Sequence, residues 1–429
     1  MRDTAILLAL VVAGAWALKR PWIGVLGWTL VSLMSPHMQF GYAAAEWPVA
    51  TGFAVCTLIG LLVTKDRQNP MAGAPAWWLL GFIIWICITL PFSIFFDQSY
   101  PLWERSMKIY LMVFVSLALI TDKRKLDIFI WVCVLSVAYY GVKGGAFTIL
   151  TGGNYRVWGP GGFIEGNNEV ALAVITIMPL MRYLQTQITN NRAKMIMGGS
   201  MALCVVMALG TYSRGAVIGL AAMGIFFWIK SQKKTQWGLA ILVLAIVGLS
   251  FMPDQWWDRM STIKSYQSDA SSMGRINAWW MAFNLASDRF FGGGFMIWNG
   301  IVFQMYAPVP DDPHAAHSIY FQIMGEHGFV GLFLWMGIGV ATWVVARDLI
   351  KIGQSKESFA WAAQLGAMVQ VSIIGYAAAG AFLSLAYYDL PYNVMIMAIV
   401  ARRYLQSEQR KYEVTHAYTA SSVDLGQAR

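Results

Sequence analysis

"DDPHAAHSIYFQIMGEHGFVG", Asp311 to Gly331, holds three of the chain's five histidines in a segment that turns from polar to apolar as it runs. An imidazole, with an unperturbed pKa of about 6.5, is the side chain best matched to moving a proton at neutral pH. Asp312 suits a helix N-cap and Pro313 the first helical position, so the spacing predicts a helix starting there, with His314 and His317 on one face of its first turn. A helix N-terminus disfavours the imidazolium form, which helps a His in that turn stay neutral and makes it a candidate general base. Asp311, Asp312, His314 and His317 also have metal-ligand chemistry. HxxH spacing alone is a weak metal signal, however, and no second outer His or Cys cluster accompanies it, so no metal site is expected. His327, beside Glu326, reads as a buried hydrogen-bonding residue, and His37 and His416 carry no signal of their own.

Three arginines stand out because of where they fall. Arg156 lies in the glycine-rich "TGGNYRVWGPGG", Arg214 in the tight turn "TYSRGA", and Arg275 at the opening of a helical pattern in which Met273, Ile276, Trp279, Trp280 and Phe283 recur at helical spacing. A guanidinium presents a planar fork that matches phosphate oxygens, so three of them near one surface point to an anionic, phosphate-bearing ligand. Taken singly, each could instead snorkel or hold an internal ion pair. Arg289, Glu165, Asn167 and Asp389 are weaker candidates on the same side.

The elements that position these residues follow from composition. The chain is 58% apolar and only 12% charged, with 20 tryptophans, which makes the bilayer its solvent. Thirteen apolar runs fall at about residues 4–18, 21–34, 43–63, 76–96, 106–120, 126–150, 167–187, 195–210, 214–229, 237–252, 318–346, 359–386 and 390–404. In such number they must be helices, so the fold expected is all-α and polytopic, with about twelve transmembrane spans if the first run does not cross fully. Seven basic clusters, from Lys19/Arg20 to Arg402/Arg403/Arg410/Lys411, are separated by pairs of runs and can all sit on the cytoplasmic side. The net charge of +9 is accounted for by those loops, and no nucleic-acid module is visible. Ala15-Trp16-Ala17 weakly resembles a signal-peptidase site, though the run serves equally as a first anchor. The organisation expected is an N-terminal membrane portion over 1–252, a periplasmic loop with amphipathic helices over 253–316, a second membrane portion over 317–404 and a disordered cytoplasmic tail over 405–429. Cys56, Cys87, Cys133 and Cys204 lie inside apolar runs without CxxC spacing and read as core residues.

"HSIYFQIMGEHGFVG" fits a pattern of His, then Asn, Ser or Gln, nine residues, Gly, two residues, then Gly, Thr or Tyr, filled by His317, Ser318, Gly328 and Gly331. This resembles the signature of bacterial O-antigen ligases, in the superfamily that also holds O-antigen polymerases and protein O-oligosaccharyltransferases. "TYSRGA", "YRVWGPGGFIEGNNEVALA" and "GRINAWWMAF" with "DRFFGGGF" are similar to further segments of that superfamily, and together they cover about residues 150–340. "RPWIGVLGWTLVSLMSPH" resembles a subgroup of O-glycosylation ligases associated with exosortase systems. The resemblance implies an inverting, metal-independent and cofactor-free transfer of a glycan from undecaprenyl pyrophosphate to a hydroxyl at the outer face of the bacterial inner membrane. In a ligase the acceptor is the lipid A-core of lipopolysaccharide. His317 would be the catalytic base, and Arg214, Arg275 and Arg156 would hold the pyrophosphate. His314, absent from the pattern, would be a helper at most. A polymerase, a protein O-oligosaccharyltransferase and a lipid-linked glycan transporter are the competing readings.

Overall fold

The computed structural model describes residues 2–41, 43–262, 267 and 269–427, with side chains for all of these except 2, 5–7, 9, 40, 43, 44 and 412–427. His416 and the end of the tail therefore lie outside the residues whose side chains are described. Among the described residues there are helices and no strands. In chain order the helices are α1 (Arg2–Lys19), α2 (Pro21–Met34), α3 (Pro36–Phe40), α4 (Val49–Val63), α5 (Ala74–Thr89), α6 (Phe96–Leu119), α7 (Lys123–Leu150), α8 (Asn167–Gln187), α9 (Asn191–Gly210), α10 (Arg214–Lys230), α11 (Lys234–Ser250), α12 (Asp254–Ser261), α13 (Ala270–Asp288), α14 (Gly300–Tyr306), α15 (Ile319–Ser355), α16 (Ala360–Gly380) and α17 (Asp389–Gln427). Every apolar run read from the sequence contains a helix, though several, such as those at 43–63, 76–96 and 359–386, also include non-helical residues. By length and composition, five helices are able to cross a membrane, or six if α11 and α12, bent by 109° to one another, count as one. Helix α17 continues through Gln427, across residues expected to be disordered.

Helix starts follow local side-chain chemistry. Asp122 accepts a hydrogen bond from the Lys125 amide at 2.9 Å, and Ser213 accepts one from the Ala216 amide at 3.1 Å; these cap α7 and α10. Burial then sorts the helices. Almost every residue of α8 from Val170 to Leu184 is buried, the mark of a helix surrounded by others, and α8 packs against α7, α9, α10 and α16. Helix α11 is the opposite case: Leu239, Leu242, Ile246 and Val247 are more than half exposed, an apolar face suited to lipid rather than to water. Small residues allow the closest crossings. At Gly145 a side chain would run into the backbone carbonyl of Leu203, so α7 and α9 meet there almost backbone to backbone.

The break in α15 shapes the end of the bundle where α13 packs. Gly328 has φ 69°, and a Cβ there would collide with the Phe290 carbonyl. Backbone amides from the "GGG" turn reach into the break, Gly293 donating to the Gly325 carbonyl at 3.0 Å and Gly294 to the Glu326 carbonyl at 2.9 Å. Carbonyls freed by the kink are thereby satisfied by the turn that follows α13, which locks α13 to α15. Glu326 accepts from Trp298 at 2.9 Å and from Tyr387 at 2.5 Å, while His327 Nδ1 lies 2.9 Å from the Thr89 hydroxyl. His327 is thus the buried hydrogen-bonding residue expected.

Candidate active site

Helices α12 and α13 and the strap that leads into α15 form one assembly. Asn277 on α13 works as a clamp: its amide donates to the Val309 and Asp312 carbonyls at 2.8 and 3.1 Å and accepts from the Val309 amide at 2.9 Å. Two residues on, the Trp279 indole donates to the Ala316 carbonyl at 2.7 Å and its ring stacks on Phe321 with centroids 5.0 Å apart. The strap is thus pinned on both sides of His314, and the pin at Ala316 adjoins His317.

Residues 312–317 form an irregular strap, and the helix begins only at Ile319, after the N-cap residue Ser318. The expected helix start at Pro313 is therefore corrected: the hydrogen bonds of Asn277 and Trp279 hold this backbone open and override the Asp-Pro start signal. His317 stands just before the N-cap in left-handed backbone, at φ 42°. A non-glycine residue there is strained by on the order of 1–3 kcal/mol and is held by its surroundings. Its Nδ1 is buried and has no hydrogen-bond partner. Burial first, then the charges of Arg275 and His314, lower its pKa to about 4. The reason expected for a neutral ring is a helix N-terminus; in the structure burial and the charge of Arg275 act in that direction instead. His314 lies over Gly274, where an added Cβ would come within 2.5 Å of the ring, and its Nδ1 is 3.0 Å from Asp312. Asp312 and His314 form the pair closest to a metal site, and no third ligand joins them among the described residues.

Facing His317 is a cationic cluster. Arg214 donates to Asp269 at 2.5 Å and to the Thr262 hydroxyl at 2.9 Å, and its Nη2 is buried without a partner. Arg259 on α12 and Arg275 on α13 each have a buried Nε that bonds to nothing. Burial and then the repulsion of neighbouring guanidiniums, Arg214 foremost, pull both below the ordinary arginine range. Burial alone would raise the Asp269 carboxyl, but hydrogen bonds from Ser272 and Arg214 and the charges of Arg214 and Arg259 hold it below its usual value. One carboxylate thus serves several guanidiniums, with Glu169 in electrostatic reach of Arg275. Buried donors without acceptors are costly, and an anion with several oxygens would satisfy them together.

Arg214 and Arg275 are therefore brought together with His317. Arg275 sits in the second turn of α13 rather than at its opening. Arg156 is exposed, with its guanidinium 5.7 Å from the Tyr212 ring and 5.9 Å from that of Trp158, and bears electrostatically on Arg259. Arg259 was not singled out from the sequence, although an arginine in the amphipathic "DQWWDRMS" of the outer loop is the signal that could have found it. The weaker candidates fall elsewhere. Asn167 donates to the Thr211 carbonyl at 2.7 Å and ties α8 to the "TYSRGA" turn; Glu165 is exposed. Arg289 bonds the Phe92 and Gly292 carbonyls at 2.7 and 3.2 Å, bracing the glycine turn. Asp389 is buried at the start of α17, accepts from Ser32 and feels the charge of Arg105, whose guanidinium lies 3.7 Å over the Phe163 ring.

The stripe of Met273, Trp280 and Phe283 on α13 faces outward, while Gly274, Asn277, Ala278, Met281 and Ala282 face the protein. Ala282 lets α13 approach α15 closely at Gly325, and the exposed bulky residues lie on the other face, as in a helix at a membrane interface.

Two family models match the chain. Residues 1–189 match a family of unknown function, DUF5935, and residues 199–336 match the O-antigen ligase family. No curated protein shows significant similarity. Arg214, Arg259, Arg275 and His317 all fall inside the second segment, so the candidate site lies in the part of the chain that is similar to the O-antigen ligase family.

Proposed function

We propose that this protein is an O-antigen ligase that moves a glycan from undecaprenyl pyrophosphate to a hydroxyl of the lipid A-core, with inversion and without a metal, at the periplasmic face of the bacterial inner membrane. The observation that carries this reading is the set of unpartnered, buried guanidinium N–H groups on Arg214, Arg259 and Arg275 beside a neutral His317. His317 takes the proton from the attacking hydroxyl as its oxygen bonds to the anomeric carbon; the bond from that carbon to the phosphate oxygen breaks, and the departing pyrophosphate keeps the electron pair. Arg214, Arg259 and Arg275 stabilise that developing charge, assisted by the exposed Arg156. About twelve spans, with 253–316 as the periplasmic loop, are consistent with the basic clusters lying on one side.

Purified protein given lipid-linked glycan and lipid A-core, with and without EDTA, tests the assignment. Transfer should persist in EDTA and fall by about a hundredfold or more in His317→Ala, the usual scale of general-base loss. Near-normal turnover in that variant would show that another group is the base. The match of the N-terminal portion to a separate family of unknown function favours carrying protein and glycan acceptors in the same assay. Transfer to one of these instead would make the protein an O-oligosaccharyltransferase or a polymerase, and donor binding without transfer to any acceptor would point to a transporter.

A further inference from the structure

The opposite end of the bundle carries a second cationic site. Helix α7 runs from Lys123 to Leu150, about 42 Å at helical rise, and the turn beyond Leu150 bonds to Gly210 and Tyr212 beside the arginine cluster. At its Lys123 end, α7 meets the α1–α2 junction around a cavity of about 370 Å³. Four cations, Lys19, Arg20, Arg124 and Lys125, face two carboxylates, Asp66 and Asp122, across it, a surplus of two positive charges. The carboxylates are already engaged. The buried Lys125 ammonium lies 2.5 Å from Asp66 and 3.3 Å from Asp122, and donates to the Thr121 hydroxyl at 2.6 Å. Among the described residues nothing forms an ion pair with Lys19, Arg20 or Arg124. The internal salt bridges therefore build a rigid floor and leave the remaining cations facing a hollow.

The surroundings indicate what fills it. Trp22 lines the cavity, and Leu62 and Val63, next to the lining residue Thr64, are 80% and 79% exposed. A polar hollow rimmed by an indole and bordered by bare aliphatic side chains matches the boundary between headgroups and acyl chains. We infer that this cavity binds the phosphodiester headgroup of an anionic glycerophospholipid, with Arg20 and Arg124 on the phosphate and the acyl chains passing over Leu62 and Val63. The site is independent of the glycan reaction. Its ligand would hold the α1–α2 junction against α7 and fix the depth of that end of the bundle in the membrane.

Full-length protein reconstituted in phosphatidylethanolamine nanodiscs with graded phosphatidylglycerol, followed by native mass spectrometry of retained lipid, tests this. The wild type should retain phosphatidylglycerol over phosphatidylethanolamine, and Arg20→Ala/Arg124→Ala should lose that affinity by about tenfold or more, with glycan transfer unchanged. Should the double variant fail to fold, Lys19→Gln, altering an exposed side chain without a partner, should show a loss of a few fold. Equal retention of both lipids, or unchanged retention in a folded variant, would overturn the proposal. So would displacement of the lipid by millimolar inorganic phosphate, which would make this a site for a soluble anion.

Discussion

At the scale of single residues, His317 combines a strained backbone, a buried ring nitrogen without a partner and an adjacent guanidinium. Its pKa falls from 6.5 to about 4, so the ring is neutral in the fold. The acid limb of the kcat/KM profile, which reports the free enzyme, should therefore lie near pH 4; a limb at pH 6.5 would mean that His317 is not the base. Stability carries the same sign. The unfolded chain binds the proton more tightly, so the contribution of this group is intact above pH 6.5 and declines as pH falls toward 4. Arg259 supplies a second residue-level expectation. With a buried donor free like that of Arg275, Arg259→Ala should weaken donor binding about as much as Arg275→Ala, and Arg259→Lys should not restore it, because an ammonium cannot reproduce the fork. Isothermal titration with the donor lipid reads both, and unaltered affinity would place Arg259 among structural residues.

At the scale of elements, the site depends on two devices that hold the strap and α15 to α13. Asn277 satisfies backbone groups on the strap from both ends of its amide. Asn277→Ala leaves those groups without partners at about 1–3 kcal/mol in total, and should lower turnover more than it lowers donor affinity, since the strap carries His317 and not the arginines. Equal losses in both would show that the clamp supports the whole outer assembly. At the kink, Gly328→Ala meets both a positive φ and the Phe290 carbonyl, and should lower the melting temperature markedly; a variant of wild-type stability would mean that the break can close.

Across the whole molecule, the arginine cluster lies at one end of α7 and the Lys125 site at the other. With native cysteines removed, Ser261→Cys should react with a membrane-impermeant maleimide in intact spheroplasts, and Lys65→Cys only after lysis. The reverse pattern would invert the orientation and put the catalytic strap in the cytoplasm. Arg403 shows how the basic end is finished. Its guanidinium donates to the Leu117, Ile120 and Asn69 carbonyls at 2.9, 2.7 and 3.3 Å, closing the C-terminal end of α6.

Apolar runs bounded by Lys and Arg clusters were enough to locate the long helices other than α13, because a chain in lipid must satisfy its backbone within each segment. The motif spacing was enough to single out His317, Arg214 and Arg275. Their assembly was not legible, since it depends on contacts between residues far apart in the chain. Trp279 and Asn277 override the Asp312-Pro313 helix signal because a strap clamped from outside cannot also wind. The inner face of α13 mixes small residues with Met281 and Leu285 and takes Trp279 from the stripe, while Met273, Trp280 and Phe283 stay exposed, a division that depends on where α15 and the strap approach. Arg259 joined the cluster, and Arg289 and Asp389 separated from it, only through tertiary placement: Arg259 keeps a buried N–H without a partner beside other guanidiniums, while Arg289, bonded to carbonyls, serves as a brace.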